Sequence, residues 1–101
     1  MQNLINVLVL LDIKGLEDKQ AFENHLSKEG FNTVENEEFA YIGTSTTTIP
    51  TTKVYIVEVF AEALQTQNFK GEANLIFLLN ETPYPTLSFD ADTNQFKVVQ
   101  G

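Results

Sequence analysis

Apolar and polar residues alternate along this chain with a spacing that changes from block to block. Residues 3–12 hold a near-continuous apolar run, Leu4-Ile5-Asn6-Val7-Leu8-Val9-Leu10-Leu11, closed by Asp12. Such a run predicts a central strand, covered on both sides or lying at a dimer interface, with Asp12 at its C-terminal tip. Residues 17–29 switch to helical spacing. Ala21, Phe22 and Leu26 share one stripe, and Glu17 and Asp18 sit at the positive end of the helix. Gly30 suits the left-handed position after a helix, and Phe31 falls where a Schellman motif sets a contact with Leu26.

Phe31 to Val34, a turn at Glu35-Asn36-Glu37 and a return through Phe39-Ala40-Tyr41-Ile42 predict a hairpin. Residues 44–52 are rich in hydroxyls and broken by Pro50. They read as strand end and loop, with Thr51 or Thr52 as an N-cap. The stretch 53–66 mixes two signals. Lys53-Val54-Tyr55-Ile56-Val57 has strand propensity, whereas Val57, Phe60, Ala61 and Leu64 share a helical face. A helix beginning near residue 52 is the preferred assignment; a strand over 53–59 with a helix over 60–67 is the competitor.

Gly71 marks a break, and Ala73 to Leu79 predicts a second apolar strand. Asn80 to Pro85 reads as a loop. Leu87-Ser88-Phe89 and Phe96-Lys97-Val98 alternate across Asp90-Ala91-Asp92-Thr93-Asn94, which predicts a terminal hairpin. The order is that of an α+β, ferredoxin-like β-α-β-β-α-β sandwich with an added C-terminal β-hairpin. Residues 1–101 are expected to form this single domain.

Composition narrows the function. Hydrophobic content of 43% fits a globular core, and the absence of cysteine excludes disulfides, thiol chemistry and thiolate zinc sites. The apolar first run is too short to span a bilayer and has no basic leader before it, so a soluble cytoplasmic protein away from the membrane is expected. Six lysines, no arginine and fourteen acidic residues give a net charge of -8. Direct nucleic-acid binding is disfavoured, because phosphate recognition leans on arginine and long-range attraction. A basic protein is the more natural partner.

A strand ending at Leu11-Asp12-Ile13, a helix, a tight hairpin, a Thr/Ser-rich segment, a second helix and a closing strand resemble the small Cas2 and VapD-type proteins over residues 3–80. The resemblance implies a dimer in which two copies of Asp12 near the axis hold Mg²⁺ for nuclease chemistry, while residues 86–99 add to the partner's sheet. It also implies a basic surface for the nucleic-acid backbone, and this acidic chain departs from that.

The remaining candidates have plainer readings. Asp12 alone caps a turn or faces solvent unless a second subunit supplies another carboxylate. Asp90 to Asn94 copies half of a calcium loop, but Gln95 stands where a glycine is needed, so an Asp/Asn-rich turn is expected. His25 is the single histidine and reads as a packing residue at the edge of the helix stripe. Ser45 and its neighbouring threonines read as loop and cap chemistry. Glu35, Glu37, Glu38, Glu58 and Glu62 offer a negative surface for a partner. Leu87, Phe89, Phe96 and Val98 offer apolar surface for a dimer. The expected function is a non-catalytic, homodimeric interaction or regulatory module without a cofactor; the alternative is a Mg²⁺-dependent nuclease centred on Asp12.

Overall fold

The computed structural model describes residues 4–99; residue 3, which the sequence reading includes in the first strand, lies outside that range. Strand β1 spans Ile5–Lys14. Ile5, Val7, Val9 and Leu11 are buried, while Asn6, Leu10 and Asp12 are exposed and Leu8 is half-buried. The run is therefore covered on one side within this chain. Asp12 does not end the strand, because Ile13 and Lys14 go on to pair with Ala73 and Glu72.

Helix α1 covers Lys19–Lys28. Asp18 caps it, its Oδ1 accepting from the Ala21 amide at 3.0 Å. The stop follows the Schellman pattern: the Phe31 amide donates to the Leu26 carbonyl at 2.9 Å, the Gly30 amide donates to Ser27 at 3.2 Å, and Gly30 takes φ +96°. Phe22 and Leu26 enter the core, whereas Ala21 stays exposed.

Strands β2 (Asn32–Thr33) and β3 (Ala40–Ser45) form the first hairpin around a wider turn than the sequence suggests. Asn36 and Phe39 take φ +67° and +54° in that turn, and Phe39 therefore lies outside the return strand. Helix α2 covers Ile49–Gln65, which makes 53–59 helical and starts the helix before residue 52. Thr48, not Thr51 or Thr52, is the cap. Pro50 sits in the first turn, where its missing N–H costs no hydrogen bond. Ile56, Val59, Phe60, Ala63 and Leu64 are the buried face that outweighs local strand propensity.

After β4 (Glu72–Leu79) the chain turns at once rather than looping. Asn80 and Glu81, at φ +50° and +70°, form a two-residue hairpin turn into β5 (Thr82–Pro83). Pairing then resumes in β6 (Leu87–Asp90) and ends with β7 (Gln95–Val98). From Leu78↔Pro83 to Leu75↔Leu87 the returning chain advances one residue more than β4, so a bulge occupies residues 84–86. That bulge lays the Tyr84 ring on Phe77, centroids 5.4 Å apart.

The described residues thus make an α+β fold of two helices and a seven-stranded sheet in the order β2-β3-β1-β4-β6-β7, with β5 beside β4; every pairing is antiparallel. Phe22, Phe31, Tyr41 and Phe60 interlock at the centre of the core. Phe69, Phe89 and Phe96 close it beneath the terminal hairpin. No helix among the described residues is long and apolar enough to cross a membrane.

Candidate interaction site

The two helices pack on the sheet face that carries Val7, Val9, Leu11, Leu75 and Phe77. The sheet continues through β6 and β7, and α2 comes close to β7. Between α2 and this hairpin lies a groove of about 760 Å³. Its helix wall is Val54, Val57 and Ala61, its sheet wall is Leu87, Phe96 and Val98, and Glu58 and Glu62 stand on its helix side. Glu58 and Glu62 are exposed, as are Val54 at 57% and Val98 at 59%. Lys53 lies at one end, its ammonium 4.7 Å from the centre of the Tyr84 ring.

Five residues singled out in the sequence, Glu58, Glu62, Leu87, Phe96 and Val98, therefore line one hollow. Phe89 stands apart, buried against Phe69 and Phe96. Phe96 is also largely buried, so Leu87 and Val98 supply the accessible apolar surface of the hairpin. The acidic residues divide between two places. Glu37 and Glu38, from the β2–β3 turn that also carries Glu35, border a second hollow of about 400 Å³ with Asp12 and Asn74.

Asp12 projects from the sheet face opposite the helices, where its register partner is Asn74. The middle of that face is apolar: Leu8 pairs with Ile42 and Leu78, and Leu10 with Ile76. Leu10 is 42% and Ile42 46% exposed. Polar residues surround them, with Asp12 and Asn74 at one end and Asn6 and Thr44 at the other. The sequence reading missed this patch as a unit because its members lie on three strands whose register only the folded sheet sets.

Among the described residues no three His, Asp or Glu side chains are grouped to hold a metal ion. Asp90 is a turn residue: its carboxylate accepts from the Asp92 amide at 2.9 Å and meets the Lys97 ammonium at 2.9 Å. These contacts, Lys97 first, hold its pKa below the usual carboxylate value. His25 is a partly covered residue on α1 with Nε2 4.0 Å from Glu62 Oε2 and no hydrogen-bond partner among the described residues. Ser45, Thr47 and buried Thr52 share short hydroxyl contacts of 2.8 to 3.2 Å, and the Thr52 hydroxyl donates to the Thr48 carbonyl at 2.8 Å. They tie the end of β3 to the start of α2.

The buried Tyr41 hydroxyl donates to Glu23 at 2.8 Å; burial first, then the Glu23 carboxylate, raises its pKa far above 10.0. Tyr55, stacked on Phe31, donates to Glu29, and its pKa is raised for the same reasons. Both are structural ties between elements rather than reactive groups in an open hollow. No protein-family model matches this sequence, and no characterised protein or solved structure is significantly similar to it.

Proposed function

We propose that this chain is a non-catalytic protein-interaction module that works as a cytoplasmic homodimer, its uncovered sheet face packed against a second copy and its acidic α2 face turned to a protein partner. The single observation that carries this reading is the apolar centre on the uncovered side, formed by Leu8, Leu10, Ile42, Ile76 and Leu78. It has the anatomy of an interface, with an apolar middle and a polar rim. Six strands about 4.8 Å apart and eight paired residues at about 3.4 Å each make a face on the order of 600 Å². A standard interface covers about 800 Å² on each partner, so a dimer of that size would use this face together with the loops that border it. The order β2-β3-β1-β4, with α1 and α2 as connections, supports a ferredoxin-like assignment, to which β6 and β7 add the hairpin.

The test is sedimentation equilibrium at micromolar concentration. Wild type is expected to be a dimer and Leu10→Glu a folded monomer, since Leu10 is exposed and the substitution leaves the core intact. A wild-type monomer at these concentrations would remove the dimer reading.

One observation favours a second reading. Asp12 lies on the face that would meet the second copy, so a two-fold axis there would bring two carboxylates together, as the resemblance to Cas2 and VapD-type proteins implies. Mg²⁺ held between them would then support phosphodiester cleavage. Cleavage of RNA or DNA in Mg²⁺ that disappears in Asp12→Asn would favour it; the interaction reading expects no cleavage by either protein.

A further inference from the structure

Strand β7 is the last in the sheet order, so among the described residues one side of its backbone has no strand beside it. The Val99 amide donates to the Thr86 carbonyl at 3.0 Å, which marks residues 95, 97 and 99 as facing β6. By the alternation of an antiparallel ladder, the N–H and C=O groups of Phe96 and Val98 point to the open side. The side chains of these two residues line the groove under α2. An edge that offers backbone pairing and a groove that takes side chains therefore lie next to each other. Proline is absent from β7, and Lys97, which would discourage pairing, is engaged by Asp90.

We infer that this edge and groove receive an extended segment of a partner protein, added as a strand beside β7, with apolar and lysine or arginine side chains alternating at its inward positions. The apolar side chains cover Val54 and Val98, and the basic ones meet Glu58 and Glu62. Charge complementarity selects this occupant. A second copy would bring another net charge of -8 to the acidic rim, whereas a basic segment neutralises it. Backbone pairing supplies affinity and the alternate side chains supply selectivity. The inference rests on the interaction-module reading and gives its partner a chemistry. The sheet face assigned to the dimer lies opposite the groove, so both surfaces can be occupied at once.

The experiment is fluorescence polarisation of a labelled peptide of about eight residues, with threonine at outward positions and valine and lysine alternating inward. Saturable binding that weakens with salt is expected, and a peptide with glutamate in place of lysine should not bind. Val98→Pro removes a donor on the open side alone, which an edge strand tolerates. It should weaken binding about tenfold, as should Glu58→Gln combined with Glu62→Gln. Circular dichroism and melting curves establish that each variant is folded. Three results overturn the proposal: no saturation by folded wild type, binding unchanged in both variants, or self-association that Val98→Pro abolishes, which would give the edge to a second copy. Repeating the titration with the Leu10→Glu variant separates the two surfaces. Peptide binding by that monomeric variant is expected if the surfaces are separate; peptide binding by a wild type that itself sediments as a monomer sinks only the dimer, and a wild-type dimer that ignores the peptide sinks only this inference.

Discussion

Tyr41 is fully buried, and its phenol donates to a partly covered Glu23 carboxylate on α1. Ionising it would place two negative charges side by side where water is excluded, so the native state holds the proton more tightly than the unfolded chain. With the native pKa raised, its contribution to stability is complete below pH 10.0 and is lost as pH climbs above that value. Tyr41→Phe should lower stability by about 1 kcal/mol near neutrality, through the lost hydrogen bond. It should also flatten the loss of stability in alkali, which urea unfolding on both sides of pH 10.0 would measure. Gly71 is set by contact rather than by charge. A Cβ there would fall 2.0 Å from the Lys14 carbonyl oxygen, where β1 ends beside the start of β4. Gly71→Ala is therefore expected to cost about 2–3 kcal/mol by forcing the strands apart, read as a lowered melting temperature. The Gly71 break was legible in the sequence; the backbone it touches was not.

At the scale of elements, α2 shows how burial overrules propensity. Lys53 to Val57 carries residues that favour strands, yet the segment lies in a helix whose buried face continues to Leu64. Helical periodicity placed Phe60, Ala61 and Leu64 on that face but also half-buried Val57, and left out Ile56, Val59 and Ala63, while α1 was readable to within two residues from its acidic start and Gly30 stop. The start of α2 is not legible in the sequence, because Pro50 and the run of threonines carry the same signal in a first helical turn as in a loop. Thr48 satisfies the first turn by accepting from the Thr51 amide at 3.3 Å. Thr48→Ala should cost about 1 kcal/mol in chemical denaturation, while Thr51→Ala, at an exposed position inside the helix, should cost less. The β4–β5 turn escaped the sequence reading because Asn80-Glu81 lacks the glycine that usually marks so tight a hairpin.

For the whole molecule, charge and apolar surface oppose one another. Two copies that each carry a net charge of -8 repel at a distance, while in the proposed dimer their apolar sheet faces would attract on contact. Added salt screens the repulsion over about 8–10 Å and leaves the contact intact. The proposed dimer should therefore tighten as salt rises, and peptide binding in the groove should loosen. Sedimentation and polarisation across one salt series would register opposite slopes; parallel slopes would contradict the division of labour between the two faces.

The one-dimensional pattern was enough for two helices, the long β1 and β4 strands, the terminal hairpin and the net acidic charge, because periodicity and composition are local properties. It could also name Asp12, the glutamates and the hairpin apolars as residues to watch. Their grouping was a tertiary decision. Strand register turned Asp12 outward beside Asn74, the packing of Phe89 and Phe96 hid most of the hairpin's apolar surface, and the placing of α2 against the β6–β7 hairpin formed the groove. Each depends on residues far apart in the chain meeting at a particular offset, and a one-residue shift in strand pairing would reverse which face every side chain occupies.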